Sequence, residues 1–204
     1  NSLVFAVNEK CKHQFRQLRG DQRLSINDLV LSGSIAGISN SFISAPLEHV
    51  RIRMQIDIQN AYRNSFEAAA QIYKNFGLAG IFRGFYVTLL REIVLFGAYF
   101  GTYEVLKQKF ESPNKWLLMS FGGLAGIAGW TCAYSIDCVK SKIQAAPLNK
   151  VRMRDVLKTL SPRDLTRGFS ACIYRAYPVN CITFLTFEVA ADELYSLGVW
   201  GLGF

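Results

Sequence analysis

Residues 29–47 and 116–136 contain no charged side chain, and each run is close to the ~20 residues that a helix needs to cross hydrocarbon. Residues 84–109 and 168–194 are also apolar, but Arg91, Glu92 and Arg175 interrupt them, so hydropathy alone marks them weakly. The chain opens on Asn1 and runs at once into Leu3, Val4 and Phe5. This reads as helix interior rather than a cleavable leader. Between the first two long apolar runs, residues 65–75 predict a short amphipathic helix.

An internal repeat strengthens the weak segments. Gly33, Gly37, Pro46, Glu48, Arg51, Arg53 and Gln55 recur as Gly122, Gly126, Ser135, Asp137, Lys140, Lys142 and Gln144 at a constant offset of 89. Arg83, Gly84, Phe85, Arg91, Tyr103 and Glu104 recur as Arg167, Gly168, Phe169, Arg175, Phe187 and Glu188 at an offset of 84. The later unit is therefore five residues shorter between its helices. Repetition at such a period identifies the architectural unit: a helix, a polar segment with a short helix, and a second helix. Asn8, Glu9 and Lys12 align with Tyr103, Glu104 and Lys107, so the opening matches the end of a second-type helix. The expected fold is an all-α membrane protein, a bundle of tandem helix hairpins. Residues 1–26 are read as the end of a first repeat, 27–111 as the second repeat, 112–195 as the third and 196–204 as a tail. Glycines four apart, Gly33 with Gly37, Gly97 with Gly101 and Gly122 with Gly126, would let helices pack closely in lipid.

Half the residues are apolar and mean hydropathy is positive, both of which favour membrane insertion over a soluble domain. The net charge of +8 suits the basic flanks of membrane helices beside anionic lipid. No lysine-rich run or zinc-finger spacing points to nucleic acid. Cys11, Cys132, Cys138, Cys172 and Cys181 form no CxxC pair, and they read as buried small apolar residues rather than a disulfide framework or metal site. His13 and His49 make no cluster with a nucleophile and are read as surface residues. Nothing suggests catalysis, a metal or a cofactor.

Acid and base recur one helical turn apart, Glu48 with Arg51 and Asp137 with Lys140, so each pair shares a helix face and can also reach a neighbouring helix. Glu9 with Lys12 and Glu104 with Lys107 repeat the spacing at the opposite ends of the second-type helices. The last copy, Glu188, is followed three residues later by Ala191 and lacks its cation. Arg91 and Arg175 lie 13 residues before Glu104 and Glu188, which places them ~20 Å deeper at 1.5 Å rise per residue. A charge at that depth needs a wet cavity or a partner. Guanidinium suits a carboxylate through two parallel hydrogen bonds, and Glu92 beside Arg91 offers an anion for a cationic group. Together Arg91, Glu92 and Arg175 could hold a zwitterion.

The run from Pro46 to Gln55, PLEHVRIRMQ, resembles the proline, acid and base signature of the mitochondrial carrier family. The run from Ser135 to Gln144 resembles a second copy whose proline is lost. Phe82-Arg83-Gly84 is similar to the aromatic, basic and glycine element that follows in that family, and Tyr103-Glu104-Val105-Leu106-Lys107 to the element that closes its even helices. Within the family, Arg167-Gly168, the RAYPVN run from Arg175 to Asn180, and Phe187-Glu188-Val189-Ala190 look most like carriers for carnitine and acylcarnitine, ornithine and basic amino acids.

The resemblance implies a matrix gate of Glu48, Arg51, Asp137 and Lys140 braced by Gln55 and Gln144. It implies a cytoplasmic gate of Glu9, Lys12, Glu104, Lys107 and Glu188. It also implies cardiolipin sites at Arg83-Gly84 and Arg167-Gly168, where helix N-termini would hold anionic headgroups. The sequence departs from the pattern at Val94, Ser135, Thr166, Ala191 and Asn64. The expected function is exchange of a small zwitterionic amino acid or carnitine derivative across the mitochondrial inner membrane by alternating access. The alternative is a transport-inactive structural subunit of a larger inner-membrane protein complex.

Overall fold

The computed structural model describes residues 2–19, 24–56, 62–110, 114–146, 158, 161, 163 and 165–196; of these, only the backbone is described for 2, 115, 184, 187, 188 and 191–196. Among the described residues, six long helices carry the fold: α1 (Ser2–Leu18), α2 (Ile26–Gln55), α3 (Ser65–Ile81), α4 (Phe85–Lys109), α5 (Lys115–Ala145) and α6 (Phe169–Ser196). They pack in series, α1 on α2, α2 on α4, α4 on α5 and α5 on α6, with α3 lying against α2. Three of the described helices, Ile26–Gln55, Phe85–Lys109 and Trp116–Ala145, are long and apolar enough to cross a membrane.

Local chemistry sets the helix starts. Ser25 and Asp28 form a reciprocal capping box at the head of α2, and Arg19 adds an ion pair to Asp28 at 3.0 Å. Asn64 caps α3 by accepting from the Glu67 amide at 2.8 Å, and Asn114 caps α5 in the same way through Leu117. Each cap satisfies an amide that the helix itself leaves unpaired. The helices run further than hydropathy indicated, because their charged ends are helical too. Helix α3 continues to Ile81 past a break at Gly77, which takes φ 64°. Pro46 and Pro178 both lie inside continuous helices.

The glycine pairs on α2 and α4 do bring backbones together. A Cβ on Gly37 would lie 2.5 Å from the Glu92 carbonyl oxygen, and one on Gly33 would lie 2.5 Å from that of Phe96. On the α5 side, Gly126 and Gly123 admit Asn180, Cys181 and Tyr177 of α6. Two apolar clusters complete the packing. Val4, Phe5, Ala36, Tyr99, Phe100, Tyr103, Phe121 and Ala125 join α1, α2, α4 and α5, while Val50, Ala68 and Ile72 fix α3 to α2.

Two sequence expectations change. His49 is fully buried rather than on the surface, because α3 and the turn after it fold back over α2. Cys132 is exposed and only Cys181 is buried, with Cys11, Cys138 and Cys172 in between. All five thiols are free.

Candidate functional site

Among the described residues, the acids and bases that join helices inside the bundle form two clusters. The first joins α1 to α4: Lys12 Nζ lies 2.5 Å from Glu104 and 2.6 Å from Glu9. Lys12 and Glu104 are both buried. Neighbouring Asn8 accepts from the Ser32 hydroxyl at 3.0 Å, which ties the cluster to α2. Lys107 pairs with no carboxylate among the described residues, and the Glu188 side chain lies outside them.

The second cluster lies nearer the C-terminal ends of α2 and α5. Lys140 of α5 pairs with Glu48 of α2. Arg91 of α4 pairs with Glu48 at 3.2 Å, with its neighbour Glu92, and with Asp137 at 3.6 Å. Glu92 is 2% exposed, and its two oxygens accept from Asn40 and Ser44 of α2, each at 3.2 Å. One guanidinium thus touches acids from both repeat units. Sequence spacing set Arg91 apart from the gate pairs; in the folded chain it stands among them. Its Nε is buried and faces Asp137 Oδ1 at 3.6 Å, an ion-pair contact too long for a hydrogen bond, and it has no other hydrogen-bond partner among the described residues.

Not every site residue joins these clusters. Arg51 and Gln55 are exposed and line a cavity of about 570 Å³ between α2 and α3. Gln144 is fully buried, yet neither atom of its amide has a hydrogen-bond partner. It packs on Gly84, where an added Cβ would lie 3.2 Å from Gln144 Cγ. Gly84 also takes φ 80°, so a side chain is disfavoured there on two counts. Arg175 is exposed, its guanidinium 5.9 Å over the Trp130 ring, and no contact among the described residues joins it to Arg91 or Glu92.

At the two helix starts read as lipid sites, Arg83 is half-buried and Arg167 exposed. Burial lowers the pKa of Arg83 from its usual value. The Tyr134 hydroxyl donates to the Arg167 carbonyl at 2.5 Å, and its ring meets Phe169 at 5.2 Å. Gly168 takes φ 85°, as Gly84 does.

Sequence reasoning missed His49, Arg53, Asn40 and Ser44. Arg53 donates to the Ala146 carbonyl at the end of α5 and to His49 Nε2 at 3.3 Å. The available signal was spacing: Asn40, Ser44 and Glu48 recur every fourth residue and share one face of α2.

Comparison with known proteins decides what this arrangement belongs to. A family model described as mitochondrial carrier protein matches the chain twice, over residues 22–114 and 111–196. The chain belongs to the mitochondrial carrier family. It is 35% identical to the mitochondrial carnitine/acylcarnitine carrier protein of Macaca fascicularis, over 89% of this chain and 65% of that protein. It is 37% identical to the mitochondrial basic amino acids transporter of Bos taurus, over 93% of this chain and 67% of the relative. It is 33% identical to a glutamate/glycine mitochondrial carrier of Schizosaccharomyces pombe, over 96% and 72%. The chain thus spans about two-thirds of the length of these relatives. This mitochondrial carrier is a multi-pass protein of the inner membrane, and its family consists of transporters rather than enzymes.

Proposed function

We propose that this carrier exchanges a zwitterionic amino acid or carnitine derivative across the inner membrane by alternating access. The observation that carries this reading is the buried Arg91–Glu92 pair, set against Glu48 and Asp137, with the Arg91 Nε held to Asp137 only by a long 3.6 Å contact. A substrate carboxylate would compete with Asp137 for this guanidinium and accept a hydrogen bond from Nε, in a site of low dielectric where a charge-assisted bond is strong. The substrate's cationic group would lie toward Glu92, and Arg175 would offer a second contact for the carboxylate.

In this reading the Lys12–Glu104 cluster closes the cytosolic side and the Glu48–Lys140 cluster the matrix side. Repeats rocking about a central site is general carrier logic. Cardiolipin held at Arg83-Gly84 and Arg167-Gly168 would steady the helix starts through charge and helix dipole together. Relatives named for carnitine, basic amino acids and glutamate or glycine agree with the solute class.

The deciding experiment is reconstitution in liposomes preloaded with carnitine, ornithine, lysine or glutamate, with exchange measured against each solute outside. Saturable exchange of one class is the expected outcome. No exchange of any solute, together with stable co-migration in a large complex, would replace this reading with that of a structural subunit.

A further inference from the structure

Glu48 and His49 are neighbours in sequence but engage different parts of the bundle. Glu48 turns toward Lys140 and Arg91. His49, fully buried, turns toward the end of α3, its Nδ1 3.2 Å from the Ile81 carbonyl oxygen. A carbonyl can only accept, so Nδ1 carries the proton and Nε2 is left as an acceptor. That acceptor faces Arg53, one turn on, whose Nε donates to it at 3.3 Å. The other end of the same guanidinium donates to the Ala146 carbonyl, which caps α5. The bonds run outward from Arg53 of α2, through His49 to the Ile81 carbonyl at the end of α3 and directly to the Ala146 carbonyl at the end of α5, with both ring nitrogens used.

We propose that His49 is a positioning residue that aims Arg53 at the end of α5, making Arg53–Ala146 a second tie between α2 and α5 beside Glu48–Lys140. Arginine has a long side chain with much rotamer freedom, and ordering it costs free energy. An acceptor at Nε fixes the plane of the guanidinium and thereby the direction of its terminal nitrogens. The target is well chosen, because the last carbonyls of a helix lack partners and carry the negative end of its dipole. Any motion that separates α2 from α5 must break both ties. Since His49 also holds Ile81, the same motion pulls on α3. The consequence for transport rests on the proposed function, but the tie itself does not and can be tested without transport.

The test uses side chains that replace one ring nitrogen at a time. Asparagine reaches about as far as Nδ1 and glutamine about as far as Nε2, so His49→Asn keeps the Ile81 bond and His49→Gln keeps the acceptor for Arg53. Spin labels are placed on Ile56→Cys and Ala145→Cys in a background without the native cysteines, and the distance between them is measured in nanodiscs. The unsubstituted background should give one short-distance population. His49→Asn and Arg53→Gln should each add a longer one in similar proportion. The double variant should add no more than either alone, and His49→Gln should keep the short population. Equal broadening by His49→Asn and His49→Gln would reduce His49 to core filling. An unchanged distribution in Arg53→Gln would remove the second tie altogether. Failure of the unsubstituted protein to exchange solutes would count against the proposed function and leave this result untouched.

Discussion

The Arg91 guanidinium lies 3.2 Å from the Glu48 carboxylate, on a helix 43 residues further along the chain. The residue read as a substrate ligand is thus bonded to a residue read as a gate. In the proposed cycle a substrate carboxylate competes with Glu48 and Asp137 for one guanidinium.

Removing Arg91 should therefore cost stability as well as activity. Arg91→Ala leaves Glu48, Glu92 and Asp137 with Lys140 as the one cation of that cluster among the described residues. Breaking a buried ion pair from one side costs about 3–5 kcal/mol. A thermal-shift assay in detergent should show a clear drop in melting temperature, and liposome uptake should vanish. A variant as stable as the parent would mean that Glu92 is already neutral or solvated.

Arg175 should behave differently. It is exposed over Trp130, so Arg175→Ala should leave the melting temperature nearly unchanged. Loss of a charge-assisted contact of about 1.5–3 kcal/mol should still weaken uptake by tenfold or more. Initial rates across a substrate series separate the two effects, and unaltered uptake would place the site elsewhere.

The pairing of Glu48 with Lys140 predicts rescue by exchange of charge. Glu48→Lys and Lys140→Glu should each impair exchange, since each leaves like charges facing one another across α2 and α5. The double variant should regain part of the rate, as expected for directly coupled residues. Additive losses would deny that the pair acts as a unit.

At the other cluster, Lys12→Met should destabilise, because Glu104 would remain buried without its cation. Adding Glu104→Leu should recover most of that stability, since a buried ion pair can be exchanged for apolar packing at little net cost. Exchange should stay impaired in the double variant if the pair must break and reform in each cycle. Calorimetry and liposome exchange together check the prediction.

Close packing of α2 on α4 gives a steric test. A Cβ on Gly37 would sit 2.5 Å from the Glu92 backbone oxygen, which cannot move as a side chain tip can. Gly37→Ala should push α4 away and pull Glu92 from Asn40 and Ser44, costing about 1–3 kcal/mol. Denaturation monitored by tryptophan fluorescence would reveal it.

The sequence by itself determined the units of this protein. Helix hairpins, their order and the membrane setting follow from apolar runs and from spacings that repeat at fixed offsets, because periodicity is a local property of the chain. Lys12 and Glu104 were legible as motif residues for the same reason, since they hold the base and the acid place of one element in different copies. Partnerships were decided only in three dimensions. Arg91 joins the Glu48 cluster because Gly33 and Gly37 let α4 lie close on α2, a separation that no linear spacing encodes. Arg51 and Gln55 face a cavity while Lys140 and Gln144 are buried, although the two sets are equivalent in sequence; the packing around each copy differs. His49 carried no pattern at all. It is buried because α3 folds back and places the Ile81 carbonyl over it, and a hydrogen bond between residues 32 apart exists only once that fold has formed.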